Sequence, residues 1–536
     1  MATTQRPGPD RGADAPLALV EVADEVGLDF QHGAFHWDES ADPVAMMGGG
    51  LCWLDYDGDG WLDLYVVNSW AEQERTRWLD DEGGLPRNAL FRNEGGRFVD
   101  VSEGSGADLA VRGNGCVAAD LDRDGHTDLF VTTDSNAALL WNEGDGTFTE
   151  GASEAGAAAP GWTAGAAVGD VDGDGWPDLF VSGYVDRNAE VPGSTQGFPG
   201  TNLGVRDLLY LNEGGPPGGP ATFREVGVDA GLEVVAFEYG LGARFGDYDV
   251  DGDLDLYVAN DTRPNRLYSN VAWPGGTAAD PSGLGFRFEE MAGRAGVADP
   301  NAGMGVASGD FSDDARPDLF VTNARGQVHA AYRSEEGEQP GAAFVDVRQD
   351  LGADLTGSTG WGVTFADLDL DTDLDLLYVN GAVPVTDLEG DAEPIRVLLG
   401  DGAASFEQVE VDDAGPLVAR GSAVADFDND GDLDVAVNVV GGRLVLLENR
   451  LGGGHWLTVD LGPGAHGARV TVTLEDGRAM VREAAAGSSY LSSEDPRLHF
   501  GLGDAEVTAV DVRWPDGEEV HLTDVDLDQI VQVRRR

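Results

Sequence analysis

One nine-residue phrase recurs seven times in this chain and governs what the chain can fold into. It reads DYDGDGWLD from Asp55, DLDRDGHTD from Asp120, DVDGDGWPD from Asp170, DYDVDGDLD from Asp247, DFSDDARPD from Asp310, DLDLDTDLD from Asp367 and DFDNDGDLD from Asp426. Successive starts lie 50 to 77 residues apart. A repeat of that period is one supersecondary unit that buries its apolar face against its neighbours, so the array must be a solenoid or a ring. After each loop comes a run rich in β-branched and aromatic residues, such as LDLYVVN at 62–68 and LDLLYVN at 374–380, which reads as a strand. Helices have no place in this pattern.

A glycine stands five residues before every loop, at Gly50, Gly115, Gly165, Gly242, Gly305, Gly362 and Gly421. Glycine weakens a strand, so seven at one phase imply a backbone crowded against a neighbour, as innermost strands around a narrow axis would be. Two further strand phrases per unit (ALFRNEG, then RFVDVSEGSGA in the first) complete four strands. The expected fold is all-β: a seven-bladed β-propeller closed by an N-terminal strand, followed by a small C-terminal β-sandwich. Closure is legible because 17–30, LALVEVADEVGLDF, copies the fourth-strand phrase with no strands before it, while the seventh unit stops after its third strand. The expected division is a disordered lead over 1–16, a propeller over 17–453 with 17–28 as the clasp strand of blade 7, and a β domain over 454–536.

In D-x-D-x-D-G-x-x-D the carboxylates at positions 1, 3, 5 and 9 converge around a reversal at position 6. Hard oxygen ligands in a flexible cage suit Ca²⁺ better than zinc or copper. Asp and Gly also make plain turns, but four like charges in one short loop repel one another without a cation. The expected ligands are Asp55, Asp57, Asp59 and Asp63; Asp120, Asp122, Asp124 and Asp128; Asp170, Asp172, Asp174 and Asp178; and Asp247, Asp249, Asp251 and Asp255. Asp310, Asp314 and Asp318 follow in loop 5, where Ser312 and Ala315 replace an aspartate and the glycine. Asp367, Asp369, Asp371 and Asp375 form loop 6, with Thr372 in place of glycine, and Asp426, Asp428, Asp430 and Asp434 form loop 7. Five to seven Ca²⁺ are expected, with loop 5 weakest and loop 6 next. An EF-hand is excluded because strands flank the loop and its twelfth position is not Glu.

Seven divalent cations leave most of the formal charge of −65 in place, so the remainder is a solvated acidic surface. That field repels phosphate backbones and anionic lipid, which argues against nucleic acid, and no apolar stretch is long enough to insert into a membrane. Two cysteines, Cys52 and Cys116, exclude a disulfide-stapled fold and any multi-thiolate metal site.

The loops and their spacing resemble FG-GAP/VCBS repeats, and Phe245–Gly246 shows the literal FG. The run GARVTVTLEDG, then GSSYLSS at 487–493, HFGLG at 499–503 and VRWPDG at 512–517 resembles the ASPIC/UnbV domain. The opening, GLDFQH followed by MMGGGLCWLDYDGDG, is similar to the cartilage acidic protein family. The resemblance implies calcium-binding, commonly extracellular proteins and a branch associated with enediyne biosynthesis. It implies no known reaction, and whether the chain is an enzyme stays open, leaning to no.

With four antiparallel strands per blade, the Asp loops share one face and the long insertions at 69–87, 185–206 and 382–394, with 31–47, share the other. His32, His36, Trp37, Trp70, Trp78 and Phe198 lie in these segments and mark the expected ligand face. The alternative is that they pack over one another as a lid. His32 and His36 with Asp38 or Glu39 are a weaker metal candidate, and Ser489 with His499 invites a hydrolase reading that no GxSxG supports. The expected function is a monomeric calcium-binding recognition protein that takes a protein or glycan at that face. The alternative is a biosynthetic enzyme or accessory that takes a small molecule there. The N-terminus as written carries no export signal, which points to the cytoplasm, whereas the calcium sites and the resemblance favour an extracellular setting.

Overall fold

The computed structural model describes residues 17–37, 41–216, 219–336, 341–411, 413–451 and 453–535. The 1–16 lead, Asp38 and Glu39 lie outside the described residues. Each repeat forms its own four-stranded antiparallel sheet. In the first, Leu51–Leu54 pairs with Asp63–Val66, then come Ala89–Asn93 and Phe98–Asp100. Antiparallel neighbours need only a short turn between them, which favours this meander. Seven such sheets are described, and in each the second strand starts on the ninth residue of the Asp loop, from Asp63 to Asp434. The seventh draws on both ends of the repeat region: Leu19–Glu21 pairs with Val445–Asn449, placing Leu19 opposite Asn449 and Glu21 opposite Leu447.

The first strand of each sheet packs against the first strand of the next, and Ala419–Ala425 packs back against Leu51–Leu54. This crowding is what the phase-locked glycines serve. A Cβ on Gly165 would lie 2.2 Å from the Leu241 carbonyl oxygen, and one on Gly50 would lie 1.9 Å from that of Leu491. Apolar cores fill the spaces between successive sheets: Phe130 and Leu139 of the second meet Val181 and Tyr210 of the third. Val22, Ala23 and Leu28, which follow the N-terminal strand, are buried with residues of the first and seventh sheets.

A recurring asparagine on the third strand, in the phrases RNEG, WNEG and LNEG, ties neighbouring sheets together. Asn142, Asn212 and Asn270 each donate from Nδ2 to the second loop residue of the preceding repeat, at Tyr56, Leu121 and Val171. Asn449 does the same to Leu368, and Asn93 of the first sheet to Phe427 of the seventh at 2.8 Å. Repeats 5 and 6 carry Ser334 and Gly400 at this position and lack the bridge. Asn93→Ala leaves the buried carbonyls of Leu62 and Phe427 without their donor. Each orphaned group costs about 1–3 kcal/mol, so the thermal midpoint at fixed calcium is expected to fall well below that of the exposed control Asn188→Ala. Equal midpoints would remove the bridge from the account.

One expectation needs correction, and one pairing was not anticipated. Short helices occur despite the strand pattern: Ala23–Val26, Ala152–Ala155 and Ala292–Ala295 each follow a fourth strand and end at a left-handed glycine, Gly27, Gly156 or Gly296. Pro43–Met47 and Arg75–Asp81 lie in the insertions. A four-residue turn capped by glycine leaves no periodicity to read. The two cysteines also pair: Cys52 and Cys116 form a disulfide between the first strands of sheets 1 and 2. Cys52 stands three residues before its Asp loop and Cys116 four before the next, so the bond joins positions one residue out of phase on adjoining strands.

After residue 454 two sheets share one core. His455–Asp460 pairs with Leu498–Gly503 and, in parallel, with Gln529–Gln532, while Arg469–Leu474, Ala479–Glu483, Val507–Arg513 and Glu519–Leu522 form the other sheet. Leu457, Val470, Phe500, Val510 and Trp514 are among the side chains buried together. Between the strands, residues 486–493 run in among the first strands of the repeats. Ala486 bridges to Val168, Ser489 to Val306 and Ser493 to Cys52. The Leu491 carbonyl accepts from the Cys116 amide at 3.2 Å, and Ser489 Oγ accepts from Val363 N and donates to the Ser422 carbonyl, both at 2.9 Å.

Candidate functional site

The Asp loops are built by their own first and last aspartates. In loop 2, Asp120 accepts the amides of Asp124 and Gly125, each at 3.1 Å. Asp128 at position 9 accepts from Leu121 at position 2 and from Asn142 on the third strand, so it locks the loop to the sheet. The same pattern recurs at Asp310 and Asp318 in loop 5 and at Asp426 and Asp434 in loop 7. The turn-forming role of these aspartates is therefore real. It leaves positions 3 and 5 to supply further oxygens.

Each loop carries two left-handed residues, at positions 4 and 6, where the sequence pointed to position 6 alone. Position 6 has φ of 95° at Gly125, 63° at Ala315 and 89° at Thr372. Position 4 is left-handed at Arg123, Val250, Asp313, Leu370 and Asn429 as well as at Gly58 and Gly173. A β-branched residue resists this conformation, which strains Thr372 in loop 6 and Val250 in loop 4.

Several Asp triads are placed to hold a metal ion. Carboxylate oxygens lie within 4.8 Å of one another in Asp55/Asp57/Asp63, Asp120/Asp122/Asp128, Asp170/Asp172/Asp178, Asp247/Asp249/Asp251 and Asp367/Asp369/Asp371. A fit test comes from position 3. Asp249 Oδ1, Asp369 Oδ1 and Asp428 Oδ1 are buried without a hydrogen-bond partner, and so is Ser312 Oγ at the same position of loop 5. An unpaired buried oxygen is costly, and a cation is a partner that carboxylate and hydroxyl oxygens alike can take. Burial first, and then neighbouring aspartates, pushes Asp120 and Asp170 up to about 6, and burial dominates in pushing Asp63 and Asp318 up to about 8.

The domain after residue 454 sits on this face. Arg478 pairs with Asp313 at 3.3 Å and Asp373 at 3.1 Å, and Arg497 reaches Asn429 Oδ1 at 2.7 Å and the Asp426 carbonyl at 2.8 Å. Arg469 donates to the Ala315 carbonyl at 2.6 Å, and His499 Nε2 lies 2.9 Å from that of Gly431. Loops 5, 6 and 7 thus lie under arginines. Ser489 and His499 are each engaged with the repeats rather than with one another.

At the opposite ends of the first strands, the insertions enclose an open cavity of about 880 Å³. Its walls come from 41–47, 197–198 and 383–386, and Leu241, Met304 and Trp361 line it from the starts of three repeats. Of the six residues expected on this face, Phe198 lines the cavity. His36, Trp37 and Trp78 pack on one another with ring centroids 4.6–4.8 Å apart, and Arg77 covers Trp37 at 4.4 Å. Trp70 is buried. His32 is fully buried, accepts the amides of Ala34 and Gly441 at Nδ1, and is held neutral by burial, its pKa lowered to about 3. His36 faces Glu82 at 3.9 Å. The lid-like packing weighed against recognition therefore describes the tryptophans, while the cavity lies with Phe198.

Sequence reasoning missed Asp261 and Tyr184, which line this cavity, with the Tyr184 hydroxyl donating to Asp261 Oδ2 at 2.8 Å. No spacing marks a lone aspartate after a strand. The asparagine bridges were visible as a repeated NEG phrase whose meaning only the packing shows.

Family models match two parts of this chain. The model of the FG-GAP-like repeat matches residues 55–131 and 120–181, and that of the ASPIC and UnbV domain matches 462–536. Cartilage acidic protein 1 of Mus musculus is 30% identical over 315 residues, covering 56% of this chain and 45% of that protein, and the Homo sapiens protein is 30% identical, covering 56% and 44%. The chain thus matches somewhat less than half the length of these two relatives. A solved structure described as showing recognition of non-reducing terminal N-acetylglucosamine by an Agrocybe aegerita lectin aligns with a TM-score of 0.38 at 15% identity, over 68% of this chain and 88% of that one. At that score the likeness carries no argument about this chain. Among the described residues no helix is long and apolar enough to cross a membrane. The chain therefore carries segments that match the FG-GAP-like repeat over 55–181 and the ASPIC and UnbV domain over 462–536, and it is similar over about half its length to cartilage acidic protein 1.

Proposed function

We propose that this protein is a calcium-stabilised seven-bladed β-propeller that recognises a partner through the face opposite its Asp loops. The ring is supported by the pairing of Leu19–Glu21 with Val445–Asn449 and by the bridge from Asn93 to Phe427, which join the first repeat to the last. Residues 17–453 then form the propeller, with 17–28 as its clasp, and 454–536 form a domain seated on the Asp-loop face. Calcium is the cation that oxygen-only cages with several carboxylates favour. A bonded cysteine pair and calcium sites both suit an oxidising, calcium-rich exterior.

The single observation that carries the recognition reading is the open cavity among the insertions, at the end of the molecule that the C-terminal domain leaves uncovered. A protein or glycan is the expected partner. The cavity volume of about 880 Å³ favours the second reading, a small molecule held for a biosynthetic step, because it lies in the range of small-ligand sites. Immobilised protein screened against glycans, extracellular proteins and small molecules tests the face. Binding should be lost in Phe198→Asp and kept in Asp57→Asn at saturating calcium. The reverse pattern overturns the assignment.

The calcium sites should fill unequally. Loop 5 has one carboxylate fewer and Ala315 at a left-handed position, and loop 6 places Thr372 there, so in limiting calcium loop 5 should be last to fill and loop 6 next to last. Anomalous scattering from crystals grown at graded calcium reads the order directly. A filled loop 5 beside a vacant loop 1, 2, 3, 4 or 7 would refute it.

A further inference from the structure

The insertion-face cavity is mainly apolar, with Thr262, Gln327 and Thr386 as neutral polar groups and one charged one. Met46, Met47, Met304, Trp361 and Phe198 are among its lining, and among the described residues that line it Asp261 alone is charged. Asp261 is half-buried, and its carboxylate takes one hydrogen bond among the described residues, from Tyr184. Tyr184 is fixed in turn by Trp162, with ring centroids 4.9 Å apart, and by Phe198 at 5.9 Å. Among the described residues no arginine forms an ion pair with it. Arg263, two residues on, is turned to the Phe237 carbonyl at 2.8 Å and to Gln196. Arg420 stacks on Trp361 at 4.0 Å but is wholly buried, is not part of the lining, and donates to the carbonyls of Met46, Ala419 and Ala382.

A carboxylate at an apolar wall without a cationic partner is costly unless a ligand supplies one. Aromatic rings around it add attraction for a positive nitrogen, and a chain of formal charge −65 concentrates cations at its surface. We propose that the cavity binds a monocationic amphiphile of small-molecule size, with its amine or ammonium nitrogen against Asp261 and its apolar body on the methionine and tryptophan lining. This rests on reading the insertion face as the recognition face and names the ligand chemistry of that face. Burial works against the charged form of Asp261, pushing it up to about 6, while the Tyr184 hydrogen bond works for it, so the carboxylate is mainly ionised at neutral pH.

The test uses the full chain in saturating calcium at physiological ionic strength, with calorimetry of three probes below their micellar concentrations: decyltrimethylammonium, 1-decanol and decyl sulfate. Tetramethylammonium controls for binding to surface carboxylates. The cation should bind about tenfold or more tighter than the alcohol, and the sulfate weakest. Asp261→Asn should bring the cation down to the alcohol's affinity without changing the alcohol's own, at an unchanged thermal midpoint. Ala302→Phe, which fills the cavity, should abolish both. If cation and alcohol bind alike in the parent protein, or Asp261→Asn weakens both equally, the cationic assignment is overturned. Should Ala302→Phe still abolish that binding, the insertion face remains the recognition face for another ligand. If no probe binds with sensitivity to Ala302→Phe, both the assignment and the face reading fall.

Discussion

Chelating divalent cations at pH 8 should lower the thermal midpoint of this protein by many degrees, with calcium restoring it and magnesium restoring much less. Each site filled at 100 times its dissociation constant adds about 2.7 kcal/mol when the unfolded chain does not bind. Five such sites together rival the whole stability of a typical domain, about 5–15 kcal/mol. The pH dependence has a definite sign. In chelator, Asp120 and Asp170 are held near 6 and Asp63 and Asp318 near 8, all above the ordinary 3.8, with burial the leading cause. Groups raised in the folded state contribute stability that is complete below their unfolded pKa and is lost as pH rises through the folded one. The chelated protein should therefore melt higher near pH 5 than near pH 8. Saturating calcium should reverse that order, because the cation requires ionised carboxylates. Differential scanning calorimetry at the two pH values, with and without calcium, reads all four midpoints. A melt at pH 8 indifferent to chelator would remove calcium from the stability account.

Deleting residues 1–28 should be the most damaging truncation, whereas deleting 1–14 should be nearly silent. The longer deletion removes the edge strand of the seventh sheet and its flanking bonds, from Val22 N to Leu446 O at 2.8 Å and from Arg450 N to Ala18 O at 2.9 Å. It also removes Leu19, Val22 and Leu28 from buried positions, each worth about 1.5–3 kcal/mol. Val445–Asn449 becomes an open edge, which invites association with other chains. Midpoints and light scattering of the two truncations at fixed calcium measure the difference. Equal effects would show that the N-terminal strand holds nothing together.

The sequence by itself determined the local structure, because each signal there is a short-range one. Asp at positions 1 and 9 reaches amides within its own loop or on the next strands, glycine at position 6 permits the reversal, and the apolar runs that follow can only be strands. Seven copies at one phase carried the four-stranded sheets, the Asp triads, the N-terminal strand beside the last repeat and the resemblance to FG-GAP-like repeats with an ASPIC/UnbV domain. The short helices after the fourth strands escaped because four residues hold no periodicity, and the left-handed position 4 escaped because Arg123, Val250 and Leu370 do not advertise it. Tertiary structure alone decided how the units meet. It joined Cys52 to Cys116 across adjoining first strands, set Arg478 and Arg497 over the Asp loops, and ran 486–493 in among the first strands. It also buried His32 and Trp70 while leaving Asp261 beside an apolar cavity. These contacts join residues up to hundreds of positions apart, and burial and charge compensation at such distances are properties of packing that no local pattern encodes.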